Sequence, residues 1–272
     1  MLSIRPVAPP LPAAAAAGSV VAAGAGAAAA PAPLPSTAEY VARALANIDF
    51  SKPNTVLYLR GIGDTSDWAS DLRPQMAKHL NLASTSLSDI PYSNTASPGS
   101  GSQSGKDVLA GVLAAVASRN PQAHVYLAGV SLGAWAIGDL LFEQPALAQA
   151  VQGAALIAHT ALAEKHYPTD SGPIREYHVP GDRFSQPFHG SREGMLKTLD
   201  RLYDGMTFPN IVKSLPQIVR NPGLFWQFYK WKAGKEVPHN HTHEQFPAAI
   251  GFLASSIAAH DAAGASSQVQ SA

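Results

Sequence analysis

The chain has no cysteine among its 272 residues. Disulfides, zinc–thiolate centres and a cysteine nucleophile are therefore excluded, while the compartment stays open, because exported proteins can lack disulfides. Charge is sparse as well. Charged residues make up 14% of the chain, with 19 basic against 19 acidic side chains. Without a basic excess, nothing draws the chain to nucleic acid. No internal repeat is apparent.

The first 36 residues lack charge almost entirely, Arg5 being the one charged side chain. They also lack bulky apolar residues: "PVAPPLPAAAAAGSVVAAGAGAAAAPAPLPS" is nearly all Ala, Pro and Gly. Such a segment buries little apolar surface per residue and is expected to be disordered or weakly helical. Ala and Gly are too weakly apolar for a membrane span, so no transmembrane segment is expected. The Leu/Val-rich centre of a signal peptide is missing, although a basic residue and small residues suited to cleavage are present. The leader is thus read as an export segment, making the protein secreted, or as a plain tail on a cytoplasmic one.

Folded sequence is expected from about Ser36, where Ser36 or Thr37 caps a helix with Glu39 in its first turn. "NTVLYLRG" (54–61) reads as a buried strand. "IGDTSDW" follows as a loop and 69–80 as a helix. "SNTASPGSGSQSGKD" (93–107) reads as a flexible loop. It is not a phosphate cradle, because position 100 is serine where that motif needs glycine, and Lys106 is followed by Asp107. A helix is expected over 107–119, a strand ending at Ala128, a helix to about Phe142, and strands over 151–159 and 174–182. Short apolar strands alternating with helices imply an α/β fold, with a mostly parallel sheet covered by helices on both faces. Residues 184–236 break the rhythm and read as a helical insertion: Met195, Leu199, Leu202 and Met206 have helical spacing, and five aromatic residues crowd into 225–231. A terminal helix is expected over 247–259. All of 36–272 is taken as one domain carrying that insertion as a cap.

The chemistry centres on "VYLAGVSLGAWAIGDLL". An apolar strand runs into Gly129-Val130-Ser131-Leu132-Gly133, and a helix follows. A serine hydroxyl is a weak nucleophile until a base takes its proton, and it must project beyond the sheet edge. A sharp strand-to-helix turn does this, and it needs small residues two before and two after the serine. The helix beginning there aims its amide end at the site, so the Leu132 N–H suits a developing oxyanion. On this kind of fold the chain order is Ser, then Asp or Glu, then His. Asp182, behind a Gly181 turn after a strand, is the favoured acid, with Asp170 and Asp204 weaker. The base is expected from "PHNHTHEQFP": His239, His241 or His243. His243 is favoured for its place just before the last helix, with His241 next. The alternating histidines also permit a metal site if they line one strand face. His159, at a strand end, is read as a pocket residue or as a satisfied buried histidine.

Four patches resemble a known group. "LRGIGDT" and "LAGVSLGA" resemble the first-strand and nucleophile-elbow motifs of cutinases. "VPGDRFSQP" resembles the acid loop of the PE-PPE hydrolases. "THEQF" resembles the histidine loop of the wider group that includes phage mycolate esterases. The resemblance implies an α/β-hydrolase, cutinase-like, with Ser131 as nucleophile, Asp182 as acid and His243 as base. It also implies that the backbone of Ile62 supplies a second oxyanion-hole amide beside Leu132. Two departures argue against a strict cutinase: the absent disulfides, and the long link from Asp182 to His243.

The expected function is that of a serine esterase acting on a small-molecule ester or lipid through an acyl-enzyme, with no metal and no cofactor. Phe225, Trp226 and Tyr229 are expected as a lid or acyl-chain wall, against the alternative that they form the insertion's own core. Three rivals remain: an acyltransferase or thioesterase with the same triad, a non-catalytic binding module, and a metal-dependent hydrolase on the histidine loop. The sequence says nothing of oligomeric state.

Overall fold

The structure, a computed structural model, describes residues 34–64, 68 and 72–270, with side chains to 263. The Ala/Pro-rich leader, most of the segment 65–71 and the last two residues lie outside the described residues.

Five strands form one parallel sheet in the order β2-β1-β3-β4-β5. They are β1 Asn54–Leu59, β2 Thr85–Asp89, β3 His124–Val130, β4 Val151–Ile157 and β5 Ile174–Tyr177. Every residue of β1 is buried, because helices cover both faces of the sheet. Leu57, Leu59, Leu127 and Leu156 point to one face, under α1 (Thr37–Ala46), α3 (Pro98–Arg119) and α4 (Leu132–Glu143). Val56, Tyr58, Tyr126 and Ile157 point to the other, under α2 (Arg73–Ala77) and α9 (Phe246–Gln270). A short α5 (Pro145–Ala150) leads into β4. The helical insertion consists of α6 (Arg192–Asp204), α7 (Phe208–Arg220) and α8 (Pro222–Lys232). Met195, Leu199 and Leu202 bury the inner face of α6 at the expected spacing.

The start of α1 is a capping box. The Glu39 N–H donates to Ser36 Oγ, and the Ser36 N–H donates to the Glu39 carboxylate. Several elements differ from the sequence expectation: the strand expected over 174–182 ends at Tyr177, the terminal helix expected over 247–259 runs to Gln270, and two further differences concern α3 and β2. The stretch read as a flexible loop over 93–107 is largely helix, since α3 begins at Pro98, a residue suited to a first helical position. Its small residues set a close approach: a Cβ on Gly105 would lie 2.8 Å from Ala136 Cβ of α4. β2 was not foreseen, because "TSLSD" carries little apolar character. Two of its buried polar side chains are partnered: Ser88 Oγ donates to the Asn47 carbonyl and Ser86 Oγ accepts from the Asp49 N–H.

The strand order reverses direction between β1 and β3. The crevice outside the carboxyl ends of these two strands is where a doubly wound sheet binds its ligand. Ser131 follows β3 there, and Arg60 to Asp64 follow β1.

At the crossing of α4 over β1, a Cβ on Gly133 would run into the backbone carbonyls of Leu59 and Arg60. Gly133→Ala is therefore expected to cost about 1–3 kcal/mol, as for an overpacked core. Gly251, within α9, has open space where its Cβ would stand. Gly251→Ala is expected to gain about 0.5–1 kcal/mol from helix propensity. Thermal denaturation followed by circular dichroism separates the two: the first lowers Tm and the second raises it.

Candidate active site

β3 turns into α4 through a single residue of unusual backbone. Ser131 has φ 53° and ψ −112°, outside the regions that L-residues prefer. The Ser131 N–H donates to the Ile157 carbonyl of β4 (2.8 Å), and its own carbonyl accepts from Trp135 N–H (2.9 Å). Gly129 and Gly133 are both required small: a Cβ on Gly129 would lie 2.8 Å from Ala134 N. The turn pushes the hydroxyl out over the strand ends.

Asp182 follows β5, behind Gly181 at φ +78°, and is buried. A single histidine bridges it to Ser131. His239 Nδ1 lies 2.7 Å from Asp182 Oδ2, and His239 Nε2 lies 2.8 Å from Ser131 Oγ. A carboxylate can only accept, so Nδ1 carries the proton and donates. Nε2 is then free to accept from the Ser131 hydroxyl.

The expected base, His243, is corrected to His239 as the partner of Ser131. The histidine-rich segment is not extended: Pro238–Gln245 winds as 3-10 turns that meet at a kink at His241. In a strand, alternate residues share a face. Here the backbone turns and kinks instead, so His239 faces Ser131 while the His241 and His243 rings lie beside each other, with centroids 6.1 Å apart. His241 pairs with Glu244 (2.9 Å) and Glu236 (3.3 Å), and His243 Nδ1 is buried without a partner. Among the described residues these three histidines do not form a group with metal-ligand spacing. Among the described residues, the group with metal-ligand spacing is His159, His166 and Glu176, whose ligand atoms lie within 4.8 Å of one another. There Glu176 accepts from His159 Nδ1 (2.8 Å), the Tyr167 N–H (2.6 Å) and His166 Nδ1 (3.2 Å). Burial is the largest influence on this carboxyl and pushes its pKa up, but the two histidines and the Tyr167 N–H outweigh it and bring it to about 2. His159 is thus a buried structural partner and not a pocket residue.

Gln227, which carries no local sequence signal, completes the acid. Its Nε2 donates to Asp182 Oδ1 (2.6 Å), and its Oε1 accepts from the Arg183 N–H (3.0 Å). The Phe184 N–H and Ser185 Oγ, both 3.0 Å away, supply two more donors to the same carboxylate. The Phe184 ring stands edge-on to the His239 ring, with centroids 5.0 Å apart.

Leu132 is the first residue of α4, so its N–H has no acceptor within the helix. The Gly61 backbone lies against Ser131: a Cβ there would be 3.6 Å from Ser131 Cβ. The Ile62 peptide follows immediately. This loop is braced by Asn94, whose Nδ2 donates to the Gly61 and Asp64 carbonyls (3.0 Å each), and by the Arg60–Asp89 ion pair (2.7 Å).

The three aromatic residues expected to form one wall do not share a face. Phe225 turns into the core with Phe228, whereas Trp226 and Tyr229 are exposed and stack on each other (5.6 Å, 15°). Residues 225 and 228 are one turn apart on α8, as are 226 and 229, and the two pairs are about 100° apart around the helix.

Burial is the largest influence on Asp182 and pushes its pKa up. The charge and hydrogen bond of His239, with the Gln227 and Phe184 donors, outweigh it and hold the carboxyl below its ordinary value of 3.8. A carboxyl lowered on folding stabilises the fold above that ordinary value. The contribution fades as pH falls through it toward the folded-state value. Gln227→Leu removes one donor and is expected to cost about 1–3 kcal/mol at neutral pH. The deficit should narrow below about pH 4, where the unfolded carboxyl also takes up its proton. Urea unfolding of both proteins at neutral and acid pH measures it.

No protein-family model and no curated protein matches the chain. Among solved structures it is similar to an α/β serine hydrolase without a lid from Xanthomonas campestris, with 18% identity over 50% of this chain and 62% of that one and a TM-score of 0.36. The chain therefore spans less than two thirds of that protein's length. It is also similar to a cutinase-like protein from Cryptococcus sp., with 16% identity over 68% of this chain and 96% of that one and a TM-score of 0.38. A third is a Trichoderma reesei cutinase in complex with a phosphonate inhibitor, with 17% identity over 67% of this chain and 86% of that one and a TM-score of 0.40. At these identities and scores the likenesses lend no weight to an activity, which rests on the side chains described above.

Proposed function

We propose that this chain is a serine hydrolase of carboxylic esters. The observation that carries the reading is the unbroken relay Ser131 Oγ to His239 Nε2 (2.8 Å) and His239 Nδ1 to Asp182 Oδ2 (2.7 Å). Ser131 Oγ attacks the ester carbonyl while His239 Nε2 takes its proton. The carbonyl oxygen becomes an oxyanion, held by the backbone amides of Leu132 and Ile62. His239 then protonates the leaving alcohol, and water releases the acyl group from Ser131 by the same steps in reverse roles. Asp182 fixes the imidazole in the tautomer that leaves Nε2 free, and it stabilises the imidazolium. The relay needs neither a metal nor an organic cofactor.

Hydrolysis of a p-nitrophenyl ester series, from acetyl to palmitoyl, tests this. Ser131→Ala and His239→Ala are each expected to lower kcat by at least about a thousandfold, as triad removal does elsewhere. His243→Ala is expected to keep kcat within a few-fold of wild type. A fluorophosphonate should label Ser131, and chelators should leave the rate unchanged. Loss of activity in His243→Ala but not in His239→Ala would sink the assignment.

A further inference from the structure

α7 is amphipathic in the wrong sense for a helix that packs on a protein. Its inner face is mostly polar: Ser214 is buried beside Arg201, and Asn210 Nδ2 donates to the Gly205 carbonyl (2.7 Å), while Ile218 packs against the core. Its outer face is apolar. Phe208, Ile211, Val212, Leu215 and Val219 recur at helical spacing and all are exposed, Phe208 to 80% and Val219 to 69%. Trp226 adds to them from α8 at 59%. Of the nine large apolar side chains exposed among the described residues, seven lie on α7 and α8. Scattered exposed apolar residues are ordinary, but a continuous stripe of this kind marks an interaction surface.

Charge says what the surface meets. The chain as a whole balances 19 basic against 19 acidic side chains. The stretch 205–235 holds Lys213, Arg220, Lys230, Lys232 and Lys235 and no acidic residue. Lys213 and Arg220 are exposed, beside the apolar stripe, and Lys230 lies over the Trp226 ring at 5.2 Å. An apolar face with Trp and Tyr, bordered by cations on two helices that themselves carry no acidic residue, suits a helix lying in the plane of an anionic lipid surface. No helix of the described residues is long and apolar enough to cross a membrane, so the contact would be one of lying on the surface. We propose that α7 and α8 dock this protein on an anionic lipid surface, Phe208, Val212, Leu215, Val219 and Trp226 entering the acyl boundary and Lys213 and Arg220 meeting the headgroups. The proposal stands apart from the esterase reading and does not need it.

The test is flotation of the full chain carrying Ser131→Ala, which separates binding from any hydrolysis. It uses vesicles of phosphatidylcholine alone and of equal parts phosphatidylcholine and phosphatidylglycerol. The chain should float with the mixed vesicles, less so as salt is raised, and far less with phosphatidylcholine alone. Phe208→Ser with Val212→Ser and Val219→Ser should abolish flotation while leaving the circular dichroism unchanged, since these side chains are exposed. Lys213→Gln with Arg220→Gln should weaken it about twenty-fivefold, at about fivefold per cation near the surface. Three results would overturn the proposal. They are no flotation with either vesicle, equal flotation of the apolar variant, and equal binding to both vesicle types. A fourth is a stable dimer in analytical ultracentrifugation that the apolar variant dissociates, for then a second copy covers the face.

Discussion

A serine held in a backbone conformation that serine does not favour is the constraint on which the candidate active site depends. At φ 53° and ψ −112°, Ser131 stores strain of about 1–3 kcal/mol. It persists because its surroundings leave no other path. The N–H is tied to β4 through Ile157, the carbonyl to α4 through Trp135, and the next turn is wedged under β1 at Gly133. Three elements thus fix one residue, and the strain is offset by the sheet itself. The neighbouring strand ends in the same manner: Ala158 has φ 51°, and its N–H donates to the Tyr177 carbonyl of β5 (2.8 Å). The strand ends on this edge are stitched one to the next, which gives the hydroxyl a rigid base from which to project.

How far the fold was legible depended on how each element buries its surface. β1, β3 and β4 are apolar along their length because both faces are covered, so a run of Val, Leu, Ala and Tyr marked them directly. β2 escaped notice for the opposite reason. Thr85, Ser86 and Ser88 are buried polar residues, the two serines with partners in the connection between α1 and β1, and no local pattern announces partners so far along the chain. The first turns of α3 were hidden by composition. Gly and Ser at 99–105 look like a linker, but in three dimensions they let α3 approach α4 to contact distance.

The site divides the same way. Ser131 and Asp182 announce themselves through local chemistry, a glycine-framed turn and a glycine-led acid loop. The histidine could be narrowed to three but not chosen, because the choice turns on whether 238–245 is extended or helical. The likeness of "THEQF" to a known histidine loop pointed to His243, and the 3-10 turn presents His239 instead. Gln227 could not be found at all. It meets Asp182 from 45 residues away, on a helix whose sequence speaks only of aromatic packing.

That helix also shows why the insertion is no appendage. One face of α8 places Phe225 and Phe228 in the core, a second places Gln227 on the acid, and a third carries the stacked Trp226 and Tyr229 into solvent. Phe184 extends the chain of contact, meeting Phe228 of α8 on one side and the His239 ring on the other. The carboxylate bonded to His239 is therefore set by the same helical turns that present the apolar outer surface. Aromatic periodicity in the sequence reported that α8 has faces, but not which of them looks inward. The buried hydrogen bond of Gln227 and the burial of Phe225 and Phe228 decide that together, because a buried amide–carboxylate bond and core aromatic rings are both costly to pull away. These contacts fix the rotation of α8, and its rotation fixes what is left outside.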